Sequence, residues 1–290
     1  MPDAGPLGPA TVVVLGLLSA ASFGASDFGG GLSTRRLPVL GVMLAVNSTG
    51  LVVALAIAAL TREPGPEAGT IAVAAVGGVS GALGVLGLYR GLAVGRMGVV
   101  APVVGVIGAS LPVLVGVLSQ GAPRLEAGIG IALALVAVVI ISRAPSPTGS
   151  RSGIEYALLG GLGIGVVSVL IGRLPEGSVW WPLVVLKVAA VGFIGLAIVA
   201  SRRPIGVPAR SVGALAVVGL GDMAGNGFYV LATQSGRLDI AAVLSSLYPV
   251  VTVLLAIVVL REQIGRRHAV GIATAAIAVA LIAVGSNAPA

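Results

Sequence analysis

Four charged side chains stand where lipid would exclude them. Asp27, Arg90, Lys187 and Asp222 each fall inside an apolar run long enough to cross a bilayer. A charge at the centre of a span costs roughly 2.5 to 3.5 kcal/mol on insertion scales, so such groups persist where they pair, bind or carry something. A carboxylate in that setting can hold a proton or a substrate ammonium, and a lysine or arginine can hold a carboxylate or neutralise a neighbouring acid. In FGASDFGGGLSTRR, residues 23–36, Asp27 is disfavoured twice, by lipid and by the partial negative charge at the end of its own helix. The three glycines that follow it can end that helix.

Depth pairs these charges. Asp27 and Arg90 lie about five residues from the ends of helices that run in the same direction, which allows a direct or water-bridged pair. Lys187 and Asp222 both approach the midplane and make a looser second pair. Each has a plainer reading: Asp27 as an interfacial acid neutralised by Arg35, Arg36 or Arg90, and Arg90 as a side chain snorkelling to the headgroups. Lys187, the only lysine, is too deep to snorkel easily, so with Asp222 it is read as lining a cavity. Asn47, Asn226, Tyr229 and Tyr248 extend the polar pathway as substrate-binding or coupling candidates, together with serines such as Ser245 and Ser246. Pro102 and Pro112 in one apolar run and Pro249 in another are hinge candidates, since each removes a backbone donor; a static kink is the alternative.

The elements that must position these residues are plain in the composition. Of 290 residues 57% are hydrophobic and 9% charged, with mean hydropathy +1.11, whereas soluble domains carry about 25% charged residues. Continuous apolar runs, not short alternating ones, make the spans helices. Glycine, proline and arginine clusters divide the chain into ten such segments, approximately 10–31, 38–60, 68–94, 97–119, 125–143, 154–173, 179–200, 211–235, 239–260 and 265–285. The N-terminus lacks the positive stretch of a secretory signal, so the first run reads as a retained span. The net charge of +7 comes from 17 basic residues scattered through short connections, a pattern of membrane orientation and not of nucleic-acid binding. Without cysteine there is no disulfide, thiolate metal site or cysteine nucleophile. GLGDMAG, 219–225, lacks the strand–helix context of a phosphate loop, and His268 is a single histidine in a basic connection. No metal site, cofactor site or catalytic triad is supported, which leaves a membrane-embedded enzyme acting on lipids as the alternative of another class.

The two halves of the chain are copies. A shift of 141 residues without a gap pairs Leu17, Leu18 and Gly24 with Leu158, Leu159 and Gly165, Gly95-Arg96 with Gly236-Arg237, and Gly130-Ile131-Ala132 with Gly271-Ile272-Ala273. The four intramembrane charges break this repeat, meeting Ser168, Leu231, Val46 and Gly81. Five spans per half, an odd number, turn the second copy upside down relative to the first. The expected fold is an all-α membrane protein of ten transmembrane helices in two inverted five-helix repeats, residues 1–147 and 148–290. Gly87, Gly91 and Gly95 make a small-residue face on the third helix that argues for close packing.

FGASDF in the first segment, PVVGVIGASLPV in the fourth and SSLYPVVTVLLAIVVLREQIGRRHAVG across the last hairpin resemble the EamA-type drug/metabolite transporters, with Pro249, Glu262 and Gly271 at the family's spacing. The first-half copy departs from it, with Gly121 in place of the loop glutamate. The resemblance implies a multi-pass plasma-membrane permease, not an enzyme, that moves a small-molecule substrate by alternating access, with protons as the candidate coupling ion. It also likens Asp27 to the first-helix acid of the related small multidrug transporters. Two acids and two bases in the spans favour a zwitterion such as an amino acid. If a base faces the headgroups, organic cations exchanged for protons are favoured instead. Eleven arginines on the side reached by the end of the first helix put both termini outside, whereas the resemblance implies cytoplasmic termini. The partners expected are the lipid bilayer and the solute. The duplicated fold suits a monomer, with a dimer left open by the glycine faces.

Overall fold

The computed structural model describes residues 9–120, 125–142, 153–171, 174–175, 177–202, 205–234, 244–245, 247–261 and 265–286. Ten long helices follow one another: α1 Pro9–Thr34, α2 Val39–Thr61, α3 Ala68–Val94, α4 Met97–Gln120, α5 Leu125–Ser142, α6 Ile154–Ile171, α7 Trp180–Ser201, α8 Ala209–Gln234, α9 Tyr248–Leu260 and α10 Arg266–Ser286. No strand occurs among the described residues. A helix satisfies its backbone polar groups within itself, which lets an apolar run sit in lipid. Among the described residues α2, α3, α6, α7 and α8 are long and apolar enough to cross a membrane. Leu60, Leu196, Val199 and Val258 stand outward on the bundle surface, as side chains do when the surrounding solvent is hydrocarbon.

Two expectations about helix ends change. The glycines at 29–31 do not stop α1, which runs on to Thr34. They are packing sites: a Cβ on Gly30 would run into the phenol ring of Tyr89, and one on Gly31 would lie 2.6 Å from Cβ of Leu92. The ninth helix begins at Tyr248, with 239–243 outside the described residues, so Pro249 occupies a first turn. Residues 244–245 just before it are helical as well, and the Leu247 amide donates to the Leu244 carbonyl at 3.2 Å, so Pro249 stands where one helical stretch gives way to the next and keeps its place as a hinge candidate. Pro102 does lie inside α4, buried. The side chains of Pro112 and His268, and residues Gly121, Ser246 and Glu262, lie outside what is described.

Packing concentrates on a few helix pairs. α3 lies along α6, α1 along α8, α5 along α10 and α2 along α7; α4 meets α6, α3 meets α7, α2 meets α8 and α1 meets α9. The small residues of α3 do what their spacing suggested, bringing backbone against backbone. A Cβ on Gly84 would sit 2.7 Å from the Ile164 amide nitrogen of α6. Neither backbone can yield locally, so Gly84→Ala is expected to cost about 1–3 kcal/mol of stability. Thermal unfolding of the detergent-solubilised variant measures it.

One contact between the halves came with no sequence signal. The Glu63 carboxylate, beyond the end of α2, accepts hydrogen bonds from the Val179 amide at 2.5 Å and the Trp180 amide at 2.7 Å, and its own carbonyl accepts from Trp181 Nε1 at 2.9 Å. The opening amides of a helix have no intrahelical partner and carry partial positive charge, so a carboxylate caps them favourably. Loss of a side-chain cap costs about 0.5–2 kcal/mol. Glu63→Ala is accordingly expected to lower the unfolding temperature of the detergent-solubilised protein, with Glu63→Gln falling between the two. Equal unfolding temperatures for all three would exclude the cap.

Candidate functional site

The site is built where α1 and α8 run antiparallel. Ser19 Oγ donates to the Gly225 carbonyl at 2.9 Å and Ser26 Oγ to the Val218 carbonyl at 2.9 Å, which fixes the register of the two helices. That register sets Asp222 level with Ser22, about five residues or ~8 Å along the axis from Asp27. Phe23, Asp27 and Gly30 share one stripe of α1, at the spacing of successive helical turns. The ring of Phe23 lies over Gly225 of α8 and meets Tyr248 of α9 edge-on, with centroids 6.4 Å apart. Gly30 receives the ring of Tyr89 from α3. Asp27 therefore points between α8, α9 and α3, toward the middle of the bundle.

Asp27 keeps partial accessibility there while Ser26 and Phe28 on either side are buried, as a residue lining an internal opening does. Among the described residues no ion pair or hydrogen bond reaches its carboxylate. It is in electrostatic contact with Asp222, Tyr89 and Tyr248.

Arg90 is not its partner. One residue advances a helix by about 100°, so with Tyr89 turned onto α1 the next side chain leaves the interface. Tyr89 is buried and Arg90 exposed. Equal depth was legible, but facing was not, and of the two readings offered for Arg90 the structure matches the outward one.

The second pair forms closely. Lys187 Nζ makes an ion pair with Asp222 Oδ2 and donates to Asn47 Oδ1 at 3.4 Å. The Lys187 side chain is 5% exposed and that of Asp222 18%. Asn47 is oriented by donating its Nδ2 to the Met43 carbonyl at 3.0 Å, and its exposed lone pairs face the lysine. Gly50, one turn along α2, leaves room for the lysine stem: a Cβ there would lie 3.1 Å from Lys187 Cε. Asn226 Nδ2 donates to the Asp222 carbonyl at 2.8 Å, bracing the turn that carries the acid. Tyr229 stands half-buried two turns beyond Asp222 on α8. Asn47 and Asp27 come from the first half and Lys187 and Asp222 from the second, so the cluster lies on the contact between halves.

Tyr248 closes the site from α9. Thr252 Oγ1 donates to the Gly24 carbonyl at 3.1 Å, pinning α9 to α1 at the residue next to Phe23. A Cβ on Gly105 of α4 would lie 2.6 Å from Pro249 Cγ and 3.7 Å from the Tyr248 hydroxyl. Pro102, Gly105 and Pro249 also line a small apolar crevice where α4, α9 and α10 meet, apart from the charged groups. Tyr89 is the residue that sequence reasoning passed over. Its signal was available, as a tyrosine one position from an intramembrane arginine, but only one of two adjacent residues can face inward.

Chemically, the cluster offers a neutralised lysine–aspartate pair beside an unpaired carboxylate, ringed by aromatic and amide groups. Such an arrangement can hold a cation or a proton. Among the described residues there is no group of histidine, cysteine and carboxylate side chains placed to hold a metal ion.

Comparison with known proteins bears on these features. A crystal structure of a protein aligns with 94% of this chain and 96% of its own, at a TM-score of 0.59 and 18% identity, so the two share a fold across both halves. No curated protein matches the chain. Residues 151–284 match the model of the EamA-like transporter family.

Proposed function

We propose that this chain is a multi-pass, secondary-active membrane transporter of the drug/metabolite type, a reading supported by the match of residues 151–284 to the EamA-like transporter family. In this reading it exchanges a small solute bearing an ammonium group for a proton at Asp27, across the plasma membrane. The carrying observation is the unpaired state of Asp27. Lys187 is engaged by Asp222 and Arg90 faces outward, so among the described residues the inner site holds one carboxylate more than its bases neutralise. A solute cation or a proton supplies the missing positive charge, and the two compete for one site. The same balance displaces the zwitterion favoured by a count of two acids and two bases, since only one of those bases faces inward.

Alternating access of two inverted halves is supported by the packing. Exchanging each helix for the one five places away turns the α3–α6 contact into α8–α1, α3–α7 into α8–α2 and α4–α6 into α9–α1, and all are present. The pairs α2–α7, α4–α9 and α5–α10 map onto themselves. The α1–α3 contact has no α6–α8 counterpart of similar extent among the described residues. Unequal ends of this kind suit a fold in which one end closes while the other opens. Residues 1–147 and 148–290 are the moving units in this reading.

Counterflow in liposomes containing the purified protein tests it. An amine should accelerate exchange of a labelled amine, whereas the isosteric alcohol should not, and the solute should be recovered unchanged. Equal acceleration by both would remove the ammonium from the reading, and chemical conversion would favour the membrane-embedded enzyme.

A further inference from the structure

Among the described residues, two hydroxyls at the head of α9 are buried without a partner: Tyr248 Oη and Ser245 Oγ. Ser245 is 6% exposed. Buried hydroxyls are nearly always hydrogen-bonded, so two unpartnered ones within a turn are unusual. A third, Ser178 Oγ, lies far away at the entry to α7, beside the Glu63 cap.

Their setting gives them a use. Tyr248 is in electrostatic contact with Asp27, and its ring is held edge-on by Phe23. Its backbone is fixed to α1 because Thr252 Oγ1 bridges the Gly24 carbonyl at 3.1 Å and the Tyr248 carbonyl at 3.3 Å. Gly105 of α4 lets Pro249 pack closely, where an added Cβ would lie 2.6 Å from Pro249 Cγ and 3.7 Å from the Tyr248 hydroxyl. The donor is therefore held on a helix pinned to α1, against the Phe23 ring that shares a stripe with Asp27, and has no partner among the described residues.

We propose that Tyr248, assisted by Ser245, donates hydrogen bonds to an oxygen acceptor adjacent to the ammonium of the solute. The site then selects amines carrying a neighbouring neutral carbonyl or hydroxyl oxygen over plain alkylamines. This rests on the reading that Asp27 holds the ammonium and adds the second point of recognition. One point holds a charge, whereas two at fixed separation choose among charged molecules. A ligand oxygen would satisfy a donor that no described side chain or backbone group satisfies.

Phenylalaninamide and phenethylamine share a ring and an ammonium and differ in the carboxamide. Binding of each to the full-length protein in detergent, by titration calorimetry, reads the second contact directly. The wild type should bind the amide roughly tenfold more tightly, the scale of one hydrogen bond to a buried donor. In Tyr248→Phe that ratio should fall to near one, and in Ser245→Ala it should fall part of the way. Without ligand, Tyr248→Phe should unfold at the same or a higher temperature, because it removes an unpartnered hydroxyl and keeps the ring. A wild type without preference, or a Tyr248→Phe variant that keeps the tenfold ratio, overturns the proposal. Asp27→Asn separates the two readings: it should weaken both ligands together. If it weakens neither, the ammonium site itself is wrong; if it weakens both while Tyr248→Phe leaves the ratio intact, only the second contact fails.

Discussion

Replacing Lys187 with methionine is expected to destabilise the folded bundle by about 3 kcal/mol and to lower its unfolding temperature accordingly. The lysine stem would be conserved in volume, so packing between α2, α7 and α8 would change little. What would change is Asp222, left as a mostly buried carboxylate without its cation. Removing one member of a buried ion pair costs about 3–5 kcal/mol, whereas removing both is often neutral or stabilising. The lower end applies because the Asp222 side chain keeps 18% exposure and can take up water or a proton. The double variant Lys187→Met with Asp222→Leu should therefore recover most of the loss. Unfolding in detergent of the four proteins in this cycle gives the coupling directly. An additive result would mean that the pair adds nothing beyond its separate side chains.

The reason for such a pair is specificity of position. Lys187 reaches Asp222 and Asn47 together, and these come from α8 and α2. Holding three helices at one level defines the wall against which Asp27 faces. On the proposed reading, a solute between α1, α8 and α9 would meet a neutral wall on that side and a charge on the other. The asymmetry of charge is not an accident of one residue, because none of the four intramembrane charges has a charged equivalent at the 141-residue shift.

Much of this architecture is legible in the amino-acid sequence. Apolar runs bounded by glycine, proline and arginine place the helices other than α9 to within a few residues, since a span is fixed by the thickness of lipid and the rise per residue. The Lys187–Asp222 pair is legible too, because two midplane charges of opposite sign in a low-dielectric setting have little choice but to meet. Facing is not. Arg90 and Tyr89 are neighbours in the chain, yet only the tyrosine turns onto α1, and the side of α3 that packs on α1 is set by Gly30 and Gly31 opposite it. Depth follows from counting residues, whereas rotation about the helix axis follows from contacts between distant segments. The glycines at 29–31 mislead for the same reason: glycine serves both as a helix stop and as a contact surface, and only the ring of Tyr89 distinguishes the two. Glu63 carries no signal at all, because a cap donated from another hairpin has no fixed spacing to the helix it caps.

Asp27→Asn carries the largest expected functional effect. The amide keeps the shape of the acid but can neither hold a full negative charge nor exchange a proton near neutral pH. A hydrogen bond to a charged partner contributes about 1.5–3 kcal/mol, so solute affinity should fall about ten- to hundredfold. Coupled exchange should vanish entirely. Stability should change little, since no described side chain depends on Asp27 for an ion pair.

The most direct measurement uses liposomes loaded with a pH-sensitive dye, containing either wild-type protein or Asp27→Asn, with no imposed gradient. Adding phenylalaninamide outside should alkalinise the interior of wild-type vesicles, as each ammonium entering through the protein releases a proton outward. Vesicles with Asp27→Asn should track protein-free vesicles. A solute-driven pH change of equal size in both proteins would contradict the account, because proton exchange would then run through a group other than Asp27.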